Sequence, residues 1–204
     1  WELDWLLKMQ NANGSVLNKV SVTDFSATSP PSADLPARRY GAASTSSTLT
    51  AASVFAHAAI VFGAVPSMGT YATALQTAAV NAWTWAAANP NVVYNNAGFQ
   101  SANPERAAYD YQTALKLSAA AYLFALTGNA TYKTTFEAGY TNAHLIQWTF
   151  AYPFEAGYQD ALLLLREPLL RLRPLSKMRT QAPYRIRMKT CRVLPAIPMP
   201  TAPI

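Results

Sequence analysis

Aromatic and charged side chains that could do chemistry meet at three places in this chain. Arg39-Tyr40 stands just ahead of a Ser/Thr cluster, Tyr109-Asp110-Tyr111 enters a helical run, and Trp148 and Tyr152 precede Glu155 and Asp160. General acid–base chemistry needs one carboxylate to take a proton and a second carboxyl to give one. Here such a pair could be drawn from Glu105, Asp110, Glu155 and Asp160. Each position also has a structural reading. Tyr40 can anchor a loop beside a solvated Arg39, Tyr109 and Asp110 can cap and pack a helix, and Glu155 and Asp160 read as helix-surface charges.

Other chemistries find little support. The single cysteine, Cys191, excludes an internal disulfide and a cysteine zinc cluster. With only His57 and His144, no multi-histidine metal site is expected, and no metal or cofactor is expected at all. His57 falls on an apolar helix face and reads as a packed core residue. His144 has no ligand partner nearby in sequence, and Trp83 and Trp85 read as core. Asn129-Ala130-Thr131 matches the N-glycosylation sequon, a pattern common by chance.

The net charge of +6 is unevenly distributed. Residues 1–165 hold seven Lys/Arg and nine Asp/Glu; residues 166–204 hold nine Lys/Arg and one acid, Glu167. The basicity therefore belongs to the tail, and no nucleic-acid partner is expected, because Tyr184 alone interleaves with its charges. No run of about 18 uninterrupted apolar residues occurs, so neither a transmembrane helix nor a membrane partner is expected.

The elements that must position these residues are helices. The chain is 51% hydrophobic and only 13% charged, against roughly 25% charged in an average soluble domain, which predicts helices buried on more than one side. Trp1 to Gln10 reads as an amphipathic helix stopped by Asn11-Ala12-Asn13-Gly14. The opening on an apolar tryptophan suggests a truncation. Val16–Val22 could form a short strand within a polar loop that reaches Pro36. Ser44 to Ser47 offers N-caps for a helix to about Phe62, with Leu49, Val54, Phe55, Ala58, Ala59 and Phe62 at core spacing. Further helices are predicted over about 70–88, 104–127, 130–140 and 153–165. The alanine content lets their axes approach closely, as stacked helical hairpins or a helical toroid require.

At Leu165 the helical period stops. Seven of the fourteen prolines fall in the last 39 residues. The expected division is 1–165 as a partial domain and 166–204 as a basic, proline-rich tail, either disordered or read in a shifted coding frame.

Three segments, taken in order, resemble a known family. They are WELDWLLKMQ at 1–10, followed by NGSVLNKV at 13–20; RYGAASTSSTL at 39–49; and FAYPFEAGYQDALL at 150–163. In order and spacing they resemble the catalytic domain of glycoside hydrolase family 9, the inverting endoglucanases and related cellulases. The resemblance covers 1 to about 164, and its first two motifs are the specific ones.

The resemblance implies an all-α fold, a partial (α/α)6 barrel incomplete at both ends. It implies hydrolysis of β-1,4-glucan, with glucan or cellooligosaccharide as the partner and secretion as the location. Inversion needs two carboxyl groups about 6.5–9.5 Å apart, with water between them. The family's catalytic aspartates lie upstream of WELDWLLKMQ, and its glutamate and histidine-arginine motif lie far downstream. No acid here inherits those roles, so no catalytic residue is assigned and the chain is expected to be inactive alone. Arg39, Tyr40, Tyr109, Asp110, Trp148 and Tyr152 remain as candidate sugar contacts. A departure weakens the Tyr109-Asp110 group: Ala114-Leu115 stands where an acidic pair is expected, and Ser118 where an aromatic is common in the family. The alternative function is a non-catalytic glucan-binding or helical scaffold protein. An open half-barrel would leave apolar helix faces in water, so oligomerisation is expected.

Overall fold

The computed structural model describes residues 1–23, 28–99, 109–147, 161, 162 and 164. All belong to one compact unit, Trp1–Leu172. The tail expected over 166–204 lies outside the described residues. So does most of the helix expected over 153–165, although residues 161, 162 and 164 are helical.

Among the described residues the named elements follow in order: α1 (Glu2–Lys8), β1 (Val20–Ser21), β2 (Arg39–Tyr40), α2 (Thr45–Gly63), α3 (Gly69–Ala88), α4 (Tyr109–Thr127), α5 (Ala130–Gly139) and α6 (His144–Gln147). Helix α1 carries Glu2 and Asp4 in its first turn and Lys8 in its last, in the sense that the helix dipole favours. Gly14 then turns the chain with φ +92°. A Cβ there would lie 2.4 Å from the Asn81 carbonyl oxygen, so backbone meets backbone against α3 and only glycine fits. Gln10 secures the same contact by donating from Nε2 to the carbonyls of Ala78 at 2.9 Å and Gly14 at 3.1 Å.

The strand expected over 16–22 is shorter than its pattern. Only Val20 and Ser21 pair in a ladder, antiparallel to Tyr40 and Arg39. Val16 and Leu17 make isolated bridges to Gln10 and Ala43 instead. Val16 is buried in the helical core and donates its N–H to Thr48 Oγ1, so side-chain burial rather than a sheet fixes that segment.

Helix α2 starts at Ser44, which forms a full capping box with Ser47. It is the central helix, packing α3 on one side and α4 on another. One core cluster joins Leu49 and Ala52 of α2 to Leu115 and Ala119 of α4. Further along, Ser53 bonds Ser118 and His57 stacks on Tyr122. Numbers rise together along the seam, so α2 and α4 run parallel. Helix α3 returns antiparallel, setting Ala82 and Ala86 against the start of α2 and Leu75 and Ala79 further along it. Helix α5 covers α4 in the same way, with Tyr132 near Leu123 and Gly139 against Leu117. Two hairpins with parallel inner helices and antiparallel outer ones are the repeat of a helical toroid. The chain is all-α, a partial (α/α)6 barrel, as expected.

Two details of α2 differ from the sequence reading. His57 is exposed, not core, and its ring stacks on Tyr122 with centroids 4.5 Å apart. Val54 is 39% exposed. Alanines cover so much of the contact with α3 and α4 that the third face, carrying Val54, His57 and Val61, is left outside. By length and composition α2 could also cross a membrane, with mean hydropathy 1.3 over its most apolar window, because scattered Ser and Thr do not outweigh its Ala, Val and Phe. Its place between α3 and α4 accounts for that composition.

Candidate functional site

The parallel arrangement of α2 and α4 places their N-termini at the same end of the molecule. Arg39 and Tyr40 form β2 at that end, shortly before the Ser44 cap, and both are exposed, Tyr40 to 64%. Tyr109 and Asp110 form the first turn of α4, where the backbone alone is described. Two of the three candidate groups therefore share one end of the bundle. Trp148 and Tyr152 lie outside the described residues, as do Glu105, Glu155 and Asp160.

The strand that carries Arg39-Tyr40 is held from behind. Gly41 donates its N–H to the Lys19 carbonyl at 2.8 Å, and Asn18 donates to the Ala42 carbonyl at 3.2 Å. Arg38 turns back to pair with Asp34 at 2.8 Å and to donate to the Pro36 carbonyl, which fixes the approach to β2. Thr45, the first residue of α2, accepts from the Val92 N–H on Oγ1 and donates to the Asn89 carbonyl, while its own N–H bonds the Val92 carbonyl. The loop after α3 is thereby stitched to the start of α2.

That loop supplies a group that sequence reasoning missed. Asn96 sits at φ +62° and is 8% exposed. Its Oδ1 accepts from Lys19 Nζ at 2.7 Å and from the Tyr94 hydroxyl at 3.1 Å, and its Nδ2 donates to the Phe99 carbonyl. The Lys19 ammonium lies 4.2 Å from the Phe99 ring centroid and 5.6 Å from that of Tyr94. Burial pushes the Tyr94 hydroxyl up from its ordinary range, so it stays neutral and able to donate. The available signal was Asn95-Asn96 followed by Gly98, a segment rich in residues that tolerate positive φ.

Three of the described acids serve structural contacts. Asp4 accepts from the Tyr71 hydroxyl at 2.7 Å, Asp34 pairs with Arg38, and Glu137 lies 3.5 Å from Lys133. Among the described residues no three His, Cys, Asp or Glu side chains gather as a metal site would require. Ser118 is buried against Ser53 between α2 and α4, so it cannot stand in for an aromatic sugar contact. A cavity of about 850 Å³ opens between the two hairpins, lined by Leu49, Trp83, Ala87, Lys116, Thr131 and Thr135 among others. Among the described residues no acid lines it. Trp83, on its wall, also meets Tyr132 edge-on at 5.3 Å, consistent with a core role.

Comparison with known proteins is consistent with this geometry. The family model described as Glycosyl hydrolase family 9 matches residues 1–185. Among solved structures, a metagenome-derived glycoside hydrolase family 9 endoglucanase is 25% identical with a TM-score of 0.64, over 80% of this chain and 28% of that one. AaCel9A in complex with cellobiose-like isofagomine is 26% identical with a TM-score of 0.62, over 80% of this chain and 29% of that one. A family 9 structure from Bacteroides ovatus shares the fold at a TM-score of 0.69 and 22% identity, over 86% of this chain and 32% of that one. The chain thus spans about a third or less of the structures it matches. No curated protein sequence matches it.

Proposed function

The chain belongs to glycosyl hydrolase family 9, and we propose that it is one part of an endo-β-1,4-glucanase domain that cleaves β-1,4-glucan with inversion. The observation that supports the reading is the shared end of the two parallel inner helices, with Arg39-Tyr40 shortly ahead of α2 and Tyr109-Asp110 opening α4. An exposed tyrosine ring can lie against the apolar face of a glucose unit while an arginine bonds its hydroxyls. Trp148 and Tyr152 are proposed as sugar contacts on the family resemblance alone. Because glucan of this type is too large to enter a cell, the proposed location is extracellular.

Inversion requires an acid and a base on opposite sides of the scissile bond. Asp4, Asp34 and Glu137 are each engaged elsewhere, and no family motif assigns a catalytic role to the remaining acids. The chain by itself is therefore proposed to bind cellooligosaccharide without hydrolysing it. Two measurements on the purified chain test this. Cellotetraose titration should give weak, saturable binding that Arg39→Ala and Tyr40→Ala each reduce. Release of reducing sugar from carboxymethylcellulose that rises with dose would overturn the inactivity. Absence of any cellotetraose binding would overturn the groove.

A further inference from the structure

Resting on that reading of the groove, we propose that Lys19 is the positioning residue for the Arg39-Tyr40 strand, which it locks to the loop after α3. One residue makes both halves of the lock. Its backbone carbonyl accepts from the Gly41 N–H, directly after the strand. Its side chain crosses to Asn96, 77 positions away in sequence, with Nζ 2.7 Å from Oδ1.

The surroundings are built for an ammonium in that place. Phe99 presents its ring at 4.2 Å and Tyr94 at 5.6 Å, so the charge sits beside two aromatic rings as well as an amide oxygen. Asn96 takes the left-handed conformation that asparagine tolerates better than most residues, and this turns its Oδ1 toward both Lys19 and Tyr94. Gly41 completes the junction by having no side chain. A Cβ there would stand 3.1 Å from Lys19 Cγ and 3.1 Å from two carbons of the Tyr94 ring. The strand, the lysine stem and the tyrosine ring therefore close on one another without slack. A two-residue ladder has little rigidity of its own, so the angle at which Arg39 and Tyr40 leave the bundle depends on this junction.

The test uses the full chain with Lys19→Met, Lys19→Arg and Asn96→Gly. Methionine keeps the apolar stem and loses the charge. Arginine keeps the charge and the donor. Glycine keeps access to positive φ and removes the acceptor. The first readout is amide hydrogen exchange at Gly41, which reports the lock whether or not sugar binds. Lys19→Met and Asn96→Gly should speed it by roughly tenfold or more, while Lys19→Arg stays near wild type, as loss and retention of a charge-assisted contact predict. The second is cellotetraose binding, weakened several-fold by Lys19→Met and restored by Lys19→Arg. Unchanged exchange in Lys19→Met overturns the lock. If Arg39→Ala removes binding but Lys19→Met binds as wild type, the positioning role is overturned and the groove stands. If wild type does not bind, the groove fails, and with it the role of the lock in sugar binding, while exchange still decides the lock itself.

Discussion

Tyr71 of α3, half-buried against the core, donates its hydroxyl to the exposed Asp4 of α1 at 2.7 Å. The bond holds the Asp4 carboxyl below its ordinary value of 3.8 and raises the Tyr71 hydroxyl above its ordinary 10.0. A carboxyl whose pKa is depressed by folding contributes stability above its unfolded pKa and loses it as pH falls through the folded one. A tyrosine raised by folding contributes below its unfolded pKa and loses it as pH rises. The tether therefore works between about pH 4 and pH 10. Tyr71→Phe should lower the melting temperature slightly at pH 7, and the difference from wild type should shrink in parallel thermal scans as the pH is taken below the ordinary carboxyl value of 3.8. Ser44→Ala is more costly, because Ser44 is fully buried and forms the capping box of the central helix. A loss of about 1–2 kcal/mol in urea denaturation is expected. The cap was legible because Ser and Thr before an apolar period have a local meaning. The exposure of His57 was not, since periodicity marks a face without saying which neighbour covers it.

Between elements, the α2–α4 seam holds a buried hydroxyl pair, Ser53 and Ser118, 2.7 Å apart. Removing one hydroxyl leaves the other without its partner across the seam. Ser53→Ala or Ser118→Ala alone should cost about 1 kcal/mol or more, and the double variant less than the sum of the two, by chemical denaturation. Where the turn after α1 meets α3, Gly14→Ala combines φ +92° with a Cβ that has no room beside Asn81. It should destabilise by roughly 2–3 kcal/mol or prevent folding, read as a shift in the denaturation midpoint. Helix positions were legible to within a residue or two for α2, α3 and α5, because Gly, Asn and Pro punctuate them. The pairing of α2 with α4 was not. Alanine-rich surfaces carry too little pattern to specify a partner, and their contacts show only when the helices are laid together.

Across the whole molecule, Trp1 is 97% exposed, Trp5 52%, Val54 39% and Val61 52%. Water against such side chains costs about 25 cal/mol for each Å² that a partner could cover. The purified chain should self-associate, and sedimentation velocity should show species above the 22.2 kDa monomer that Trp5→Glu reduces. A monodisperse wild-type monomer would contradict this. The partial toroid followed from the family resemblance, whereas the composition by itself indicated only buried helices. Of the candidate groove, Arg39-Tyr40 was legible as a motif. The Lys19 junction was not, since its members are 77 residues apart and meet only through the fold.

Residues 1–20 contact the rest of the chain almost wholly through what comes later, with Gln10 bonded to Ala78, Gly14 against Asn81, and Val16 to Thr48. During synthesis this strap emerges before the helices it lies against. At elongation rates of about 5–20 residues per second, the 68 residues between Gln10 and Ala78 take roughly 3–14 s to appear. For that interval Leu3, Leu6 and Leu7 lack the core cluster they pack against, and such apolar side chains are the kind of surface that chaperones bind. Slowing translation ahead of α3 should lengthen that exposure and lower the soluble yield.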